Sequence, residues 1–256
     1  MRAFFAFFKK ELLESLRSGK LILMGALFLA FGIMNPAIAK LTPFLMEMFA
    51  ESLAESGMVI TEISVNALTS WTQFFKNIPM ALIVFAVAYG STLTKEYDSG
   101  TLILILSKGM SRHGVLAAKW VNLLWIWSAG YWLCFGVTYG YNAYFWDNGI
   151  AQGLIPAAVC WWLFGVLVVF LLMLFSVLTK SLGGVLLCTG ASVLAFYLIG
   201  LIPKAKYASP IALMNVGGVL TGVEVAGRYN AAIWITLGCC LACVVMAIPV
   251  FHKKQL

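Results

Sequence analysis

The chain has 256 residues, of which 62% are hydrophobic and 11% charged, and its mean hydropathy is +0.95. Soluble domains run at ~45–50% apolar and ~25% charged, and a fold of this size still leaves about a quarter of its unfolded surface in water. This composition excludes a soluble enzyme, a disordered chain and a fibrous repeat, and leaves a polytopic membrane protein. The formal charge of +7 then reads as basic loops on one side of a bilayer, not as a nucleic-acid surface.

In chain order, residues 3–18 have the pattern of an amphipathic helix. Phe5, Phe8, Leu12 and Leu16 share a face, with Lys9, Lys10, Glu14 and Arg17 elsewhere. Such a helix lies in the membrane interface with its basic side toward anionic headgroups, or contacts a cytoplasmic partner. These early charges and the lack of a small-residue cleavage pattern argue against a cleavable signal peptide. About 20 apolar residues cross ~30 Å of hydrocarbon, and six spans are expected at 21–39, 74–94, 120–144, 153–178, 182–203 and 230–251. Asn35 and Pro36 should kink the first at its outer end. Lys76, Asn77 and Pro79 make the start of the second polar and irregular.

Six spans put both termini on one side. A cytoplasmic N-terminus leaves only Lys40, Lys76, Lys204, Lys206 and Arg228 of the 17 basic residues outside, as the positive-inside rule requires. Two outer stretches are distinctive. Residues 41–55 form a second amphipathic pattern, with Glu47, Glu51 and Glu55 as an acidic stripe: a solvated face or an electrostatic guide for cationic cargo. Residues 204–229 are Gly-rich and too apolar for an exposed loop, which suits a re-entrant or interfacial hairpin partly covered by protein.

The loop 95–119, KEYDSGTLILILSKGMSRHGVLAAK, is the most informative segment. Asp98 or Ser99 can cap a short helix, Gly109 can stop it, and Ser111 can cap the next. At about nine residues, or ~14 Å, the short helix cannot cross a bilayer. Its block Leu102-Ile103-Leu104-Ile105-Leu106 must therefore fold under the bundle or enter a partner protein.

Several motifs are missing. There is no GxxxxGK[ST] to cradle phosphate and no HExxH. No span carries a charge or His in its middle, which argues against an ion-coupled carrier and an intramembrane protease. The Cys240–Cys243 pair and the other four cysteines lie in apolar runs and read as packing. Gly136 and Gly140 read as a helix-packing face. Neutral polar and aromatic residues such as Asn122, Ser128, Thr138, Tyr131 and Trp161 suit packing, or a cavity for apolar cargo.

Glu96, Ser99-Gly100-Thr101-Leu102, the apolar run, Ser107, Ser111-Arg112 and Lys119 resemble the loop between the second and third helices of ABC-2 type permeases, the membrane subunits of antibiotic and peptide exporters. The whole plan matches too: an amphipathic first helix, six spans and a Gly/Pro-rich outer segment before the sixth. Family members often carry Pro where this chain has Lys108 or Gly109, which leaves the end of the short helix open. The resemblance implies an all-α membrane protein, one transmembrane domain over 1–256, in the plasma membrane with cytoplasmic termini. It implies that 95–119 is a coupling loop docking on a separate soluble ABC ATPase that holds ATP and Mg, with no cofactor or catalytic site in this chain. Gly100, Thr101, Leu102, Leu104 and Leu106 then belong to the docking surface. Glu96, Arg112 and Lys119 hold the loop together or meet the ATPase. The permease would pair with itself or a second permease, sit in membrane lipid, and move an amphipathic or hydrophobic peptide or antibiotic outward. The alternatives are an ATP-independent channel, carrier or scaffold, and a membrane enzyme.

Overall fold

A computed structural model describes residues 2–48, 65–107 and 109–253. The described chain is helical, with no strand among those residues. Helix α1 (Arg2–Arg17) turns at Ser18 and Gly19 into α2 (Lys20–Met48), with Gly19 at φ +74°. Then come α3 (Ala67–Tyr89), two short helices α4 (Thr94–Asp98) and α5 (Thr101–Ser107), and α6 (Arg112–Phe145). Helices α7 (Leu154–Leu178) and α8 (Leu182–Gly200) follow, and after an irregular segment containing α9 (Gly217–Leu220) the chain ends in α10 (Asn230–Lys253). Among the described residues, six segments are long and apolar enough to cross a membrane: Lys20–Phe44, Ala67–Asp98, Arg112–Phe145, Leu154–Leu178, Leu182–Gly200 and Ala226–Lys253. The all-α membrane fold is thereby confirmed.

Three boundaries differ from the sequence expectation. The second span begins at Ala67, because Asn66 caps it by accepting from the Thr69 backbone N–H at 3.2 Å. Its polar entry is absorbed by a neighbour: Asn77 Nδ2 donates to Asn35 Oδ1 of α2 at 2.8 Å. Helix α2 continues through Pro36 and Pro43. It takes in the start of the expected 41–55 helix; the side chains of the Glu47, Glu51 and Glu55 stripe lie outside the described residues. Helix α6 has 34 residues, about 51 Å at 1.5 Å per residue, so it outruns a ~30 Å hydrocarbon layer.

The core forms where α2 packs on α3 and α6, and α7 on α10 and α8. α7 is the most buried span and α8 the least. Aromatic rings fill the centre: Trp127 lies edge-on to Phe28 and Phe85, and Trp71 packs on Phe74 and Phe135. Two glycines set the spacing. A Cβ at Gly165 would sit 2.1 Å from the Trp127 ring, and one at Gly130 would sit 2.3 Å from Phe28. At Gly136 and Gly140, by contrast, no described residue outside their own helix lies within 4 Å of where a Cβ would stand. The polar ends of the rings are satisfied internally, Tyr131 OH by the Ala158 carbonyl and Trp127 Nε1 by that of Trp162. The six cysteines are free thiols, with Cys240 and Cys243 buried.

Part of the segment before α10 is covered by protein, as expected. Pro210–Met214 forms a 3-10 turn with Pro210, Ile211, Ala212 and Leu213 buried. It packs on α7 and α10, and Trp161 Nε1 of α7 donates to the Met214 carbonyl at 3.1 Å.

Candidate functional site

The site lies at the end of the bundle where α1, α4, α5, the start of α6 and the end of α10 meet. Local chemistry shapes the loop first. Gly100 (φ +66°) separates α4 from α5, and Gly109 (φ +87°) ends the segment after α5. Ser99 Oγ and Thr101 Oγ1 share a hydrogen bond of 2.9 Å across the Gly100 joint. Ser111 caps α6 by accepting from the Gly114 N–H at 3.1 Å. The expected nine-residue helix is therefore a seven-residue α5 preceded by the separate turn of α4.

The apolar block of α5 divides between the two fates open to it. Leu102 is 1% exposed and belongs to the chain's own core. Ile105 and Leu106 pack partly against that core. Ile103 is exposed, and Leu104 is 62% exposed. Thr101 is exposed, while Gly100 is half-buried. The outward face of α5 is thus carried by Thr101, Ile103 and Leu104.

The charged residues form a buried ion network. Lys119, only 1% exposed, reaches Glu11 Oε2 of α1 at 2.9 Å and Glu96 Oε2 of α4 at 3.0 Å, and donates to the Thr92 carbonyl at 3.4 Å. Lys10 of α1 closes the ring, 3.1 Å from Glu11, 3.2 Å from Glu96 and 2.8 Å from Glu14. Phe7 lies beneath both ammonium groups, at 5.3 Å from Lys10 and 5.8 Å from Lys119. Two buried carboxylates thus face two ammonium groups, which is how buried charge is tolerated at all. Burial opposes ionisation of Glu11, but Lys119 and Lys10 outweigh it and hold its pKa below the usual carboxylate value. Burial likewise opposes the charge on Lys10, and Glu14, Glu11 and Glu96 more than restore it, so its pKa is raised.

Arg112 serves a different joint. Its Nη1 donates to the Phe251 and His252 carbonyls, each at 3.0 Å, and so caps the C-terminal end of α10. Tyr97 of α4 meets the Phe251 ring at 6.3 Å, and His113 faces His252 at 5.7 Å. The loop is therefore pinned to the first helix by Glu96 and Lys119, and to the last by Arg112 and Tyr97.

Sequence reading missed Glu11 and Phe7. It assigned α1 one apolar face, but the face packed on the bundle is Phe7–Glu11, one turn apart; Phe5 and Leu16 are exposed, and Phe8 and Leu12 half-buried. The available signal was an acid one turn after a Phe, with an unpaired Lys119 just before an apolar span. A second cluster also went unread. Glu224 accepts hydrogen bonds from Tyr207 OH at 2.8 Å and Tyr229 OH at 2.6 Å, and Arg228 lies 3.7 Å from it and 4.1 Å from the Tyr207 ring centre. The two tyrosine hydroxyls hold the Glu224 carboxyl below its usual pKa. They border a cleft of about 500 Å³ that also includes Lys206 and Asn215.

A family model described as ABC-2 family transporter protein matches residues 5–256. The chain belongs to that family. No curated protein and no solved structure matches it. As an ABC-2 family protein it is the transmembrane component of an ABC transporter, a multi-pass membrane protein, and the family implies an ABC ATPase partner. In this ABC-2 protein the network of Lys10, Glu11, Glu96 and Lys119 fixes the loop between the second and third spans to the first helix.

Proposed function

We propose that this chain is the permease subunit of an ATP-driven exporter in the plasma membrane, with both termini in the cytoplasm, and that α5 is the knob on which a soluble ABC ATPase docks. The observation that carries this reading is the division of α5. Leu102 anchors it inside the chain while Ile103 and Leu104 stand exposed on a helix too short to cross a bilayer. Exposed apolar side chains on a fixed element gain free energy when a partner removes them from water. Thr101 lies beside them, Gly100 sets the angle of the knob, and Leu106 lies at its edge. Glu96, Lys119 and Arg112 act inside the permease, as the struts that let a push at α5 reach α1, α6 and α10. The sequence has no phosphate-cradling loop, so ATP and Mg belong to the partner.

The uncharged middles of the spans favour an amphipathic or hydrophobic cargo, a peptide or an antibiotic. An apolar groove of about 350 Å³ between α3, α7 and α8, bordered by Leu82, Phe164, Leu186 and Thr189, has the same character. Six spans are half the complement of a full exporter in this reading, so two permeases, identical or paralogous, flank the path. The test is co-purification from mild detergent. The wild-type chain should retain a soluble ATP-binding subunit, and Leu104→Asp should lose it while the permease remains folded. An undiminished complex with Leu104→Asp would overturn the docking role.

A further inference from the structure

At the end of the bundle away from α5, the segment between α8 and α10 encloses the cleft of about 500 Å³ bordered by Lys206, Tyr207, Asn215, Gly218, Glu224 and Tyr229. The 24 residues of α10, ~36 Å at 1.5 Å per residue, separate it from the end that Arg112 caps. Its volume is that of a small-molecule site, and the fold holds its polar groups in place. The Glu224 N–H donates to the Gly218 carbonyl at 2.9 Å, and a Cβ on Gly218 would sit 2.7 Å from Glu224 Cγ. Tyr229, itself buried, and Tyr207 aim their hydroxyls at the two oxygens of the Glu224 carboxylate. Tyr229 and Tyr207, with smaller help from Arg228 and Lys206, hold its pKa below the usual carboxylate value, so it is charged at neutral pH. The hydrogen count then falls short. The Tyr229 hydroxyl lies 2.6 Å from Glu224 Oε2 and 2.8 Å from the Asn215 carbonyl, with one hydrogen to give. The carboxylate is the stronger acceptor, which leaves the Asn215 carbonyl short of a donor beside it. Two neighbouring acceptors call for a ligand that carries N–H groups.

The charges beside these acceptors point to the rest of the ligand. Lys206 and Arg228, both exposed, lie 5.3 and 4.1 Å from the centre of the Tyr207 ring. Two cations against one carboxylate leave the cleft net positive, which disfavours a simple cation and favours a group that also carries an anion. The same two cations compete for the Tyr207 ring face that a quaternary ammonium would need. Around the cleft the segment is apolar and exposed, at Val223 and Val225 beside Glu224 and at Leu201 and Ile202 past the end of α8. We infer that this cleft binds an ammonioethyl phosphate group: its primary ammonium donates to Glu224 and to the Asn215 carbonyl, and its phosphate pairs with Lys206 and Arg228. Free phosphoethanolamine and the head group of phosphatidylethanolamine share this chemistry. The exposed valines favour the lipid, whose acyl chains they would meet. The inference stands independently of the docking role of α5 and of the cargo.

The experiment is amide hydrogen exchange over residues 204–229 of the full chain in mild detergent, with short-chain phosphatidylethanolamine, phosphatidylcholine, phosphatidylglycerol or phosphoethanolamine added in turn. Phosphatidylethanolamine should slow exchange there at a concentration about tenfold below that needed for phosphatidylcholine, whose trimethylated ammonium has no N–H; a charge-assisted hydrogen bond supplies about that factor. Glu224→Gln keeps an oxygen for the tyrosines and should erase this preference. Lys206→Gln combined with Arg228→Gln, both exposed, should weaken the two lipids about equally. Protection by phosphoethanolamine at the same concentration as the lipid would support the head-group site and name the soluble molecule as a source. Protection by the lipid alone would support the site and name the bilayer. Equal potency of phosphatidylethanolamine with phosphatidylcholine or with phosphatidylglycerol, or a preference that survives Glu224→Gln, would overturn the inference. Should Glu224→Gln fail to fold, the Lys206 and Arg228 double variant decides, and undiminished protection in it would overturn the site.

Discussion

Lys119 is the residue on which the loop end of the molecule depends. It is buried and bridges Glu11 and Glu96, and among the described residues the other cation paired with these two carboxylates is Lys10. Removing one member of a buried ion pair leaves an uncompensated charge and costs about 3–5 kcal/mol. Lys119→Met should therefore lower the unfolding temperature in detergent and speed exchange across α1. A Lys119→Met, Glu11→Gln pair should cost less than the sum of the two single changes, because the orphaned carboxylate is gone; additive losses would show that the two groups do not interact. The pH dependence has a definite sign. Glu11 has a folded-state pKa below its ordinary value of 4.5, so its contribution is complete above about that pH and is lost as pH falls through the lower folded value. Attachment of α1, followed by exchange, should be flat from neutral pH down to about 5 and fail only in stronger acid. Release near pH 6 would contradict this. None of this network could be paired from the sequence. Glu96 and Lys119 were visible as candidates, but Glu11 lies 108 positions from Lys119, and periodicity carries no information about which distant charges meet.

The elements were more legible than their partners. Six apolar spans, the Ser111 cap and the Gly109 stop follow from composition and cap chemistry, and all three are in the structure. The second span starts earlier than hydropathy suggests because Asn77 is satisfied by Asn35, a contact between helices that a window average cannot see. The buried face of α1 escapes sequence reading for a related reason. Phe7 and Glu11 do not make an apolar stripe, and only the ammonium groups above them make that face buriable. Helix α5 supplies a paired prediction. Leu102→Ala removes a core side chain and should cost 2–5 kcal/mol of stability. Leu104→Asp alters an exposed position and should leave the unfolding temperature within about a degree or two while abolishing ATPase retention. Equal effects of the two on stability would mean that α5 has no outward face. At the centre of the bundle, Gly165→Ala would place a methyl against the Trp127 ring. Overpacking of this kind costs ~1–3 kcal/mol or more, which thermal unfolding would detect.

At the scale of the whole molecule, the chain is the membrane component of an ABC transporter, and its architecture separates two ends by chemistry. One end is pinned by charge: α1, the loop of α4 and α5, and the end of α10 are tied together through Lys10, Glu11, Glu96, Lys119 and Arg112. The other end is built from backbone turns covered by α7, with Tyr207, Glu224 and Tyr229 closing one cleft. Between them the spans are held by rings and close glycine contacts, which suits a body that moves as a few rigid pieces. With α5 as the docking knob, force enters at Ile103 and Leu104 and is carried inward by the ion network. The most direct measurement is a photo-crosslinker placed at position 104 of the full-length permease and activated in native membranes. The dominant product should be a covalent adduct with a soluble ATP-binding subunit, while the same label at Leu187, an exposed position on α8, should give none. Crosslinks from position 104 that stay within the permease itself would contradict the docking role of α5.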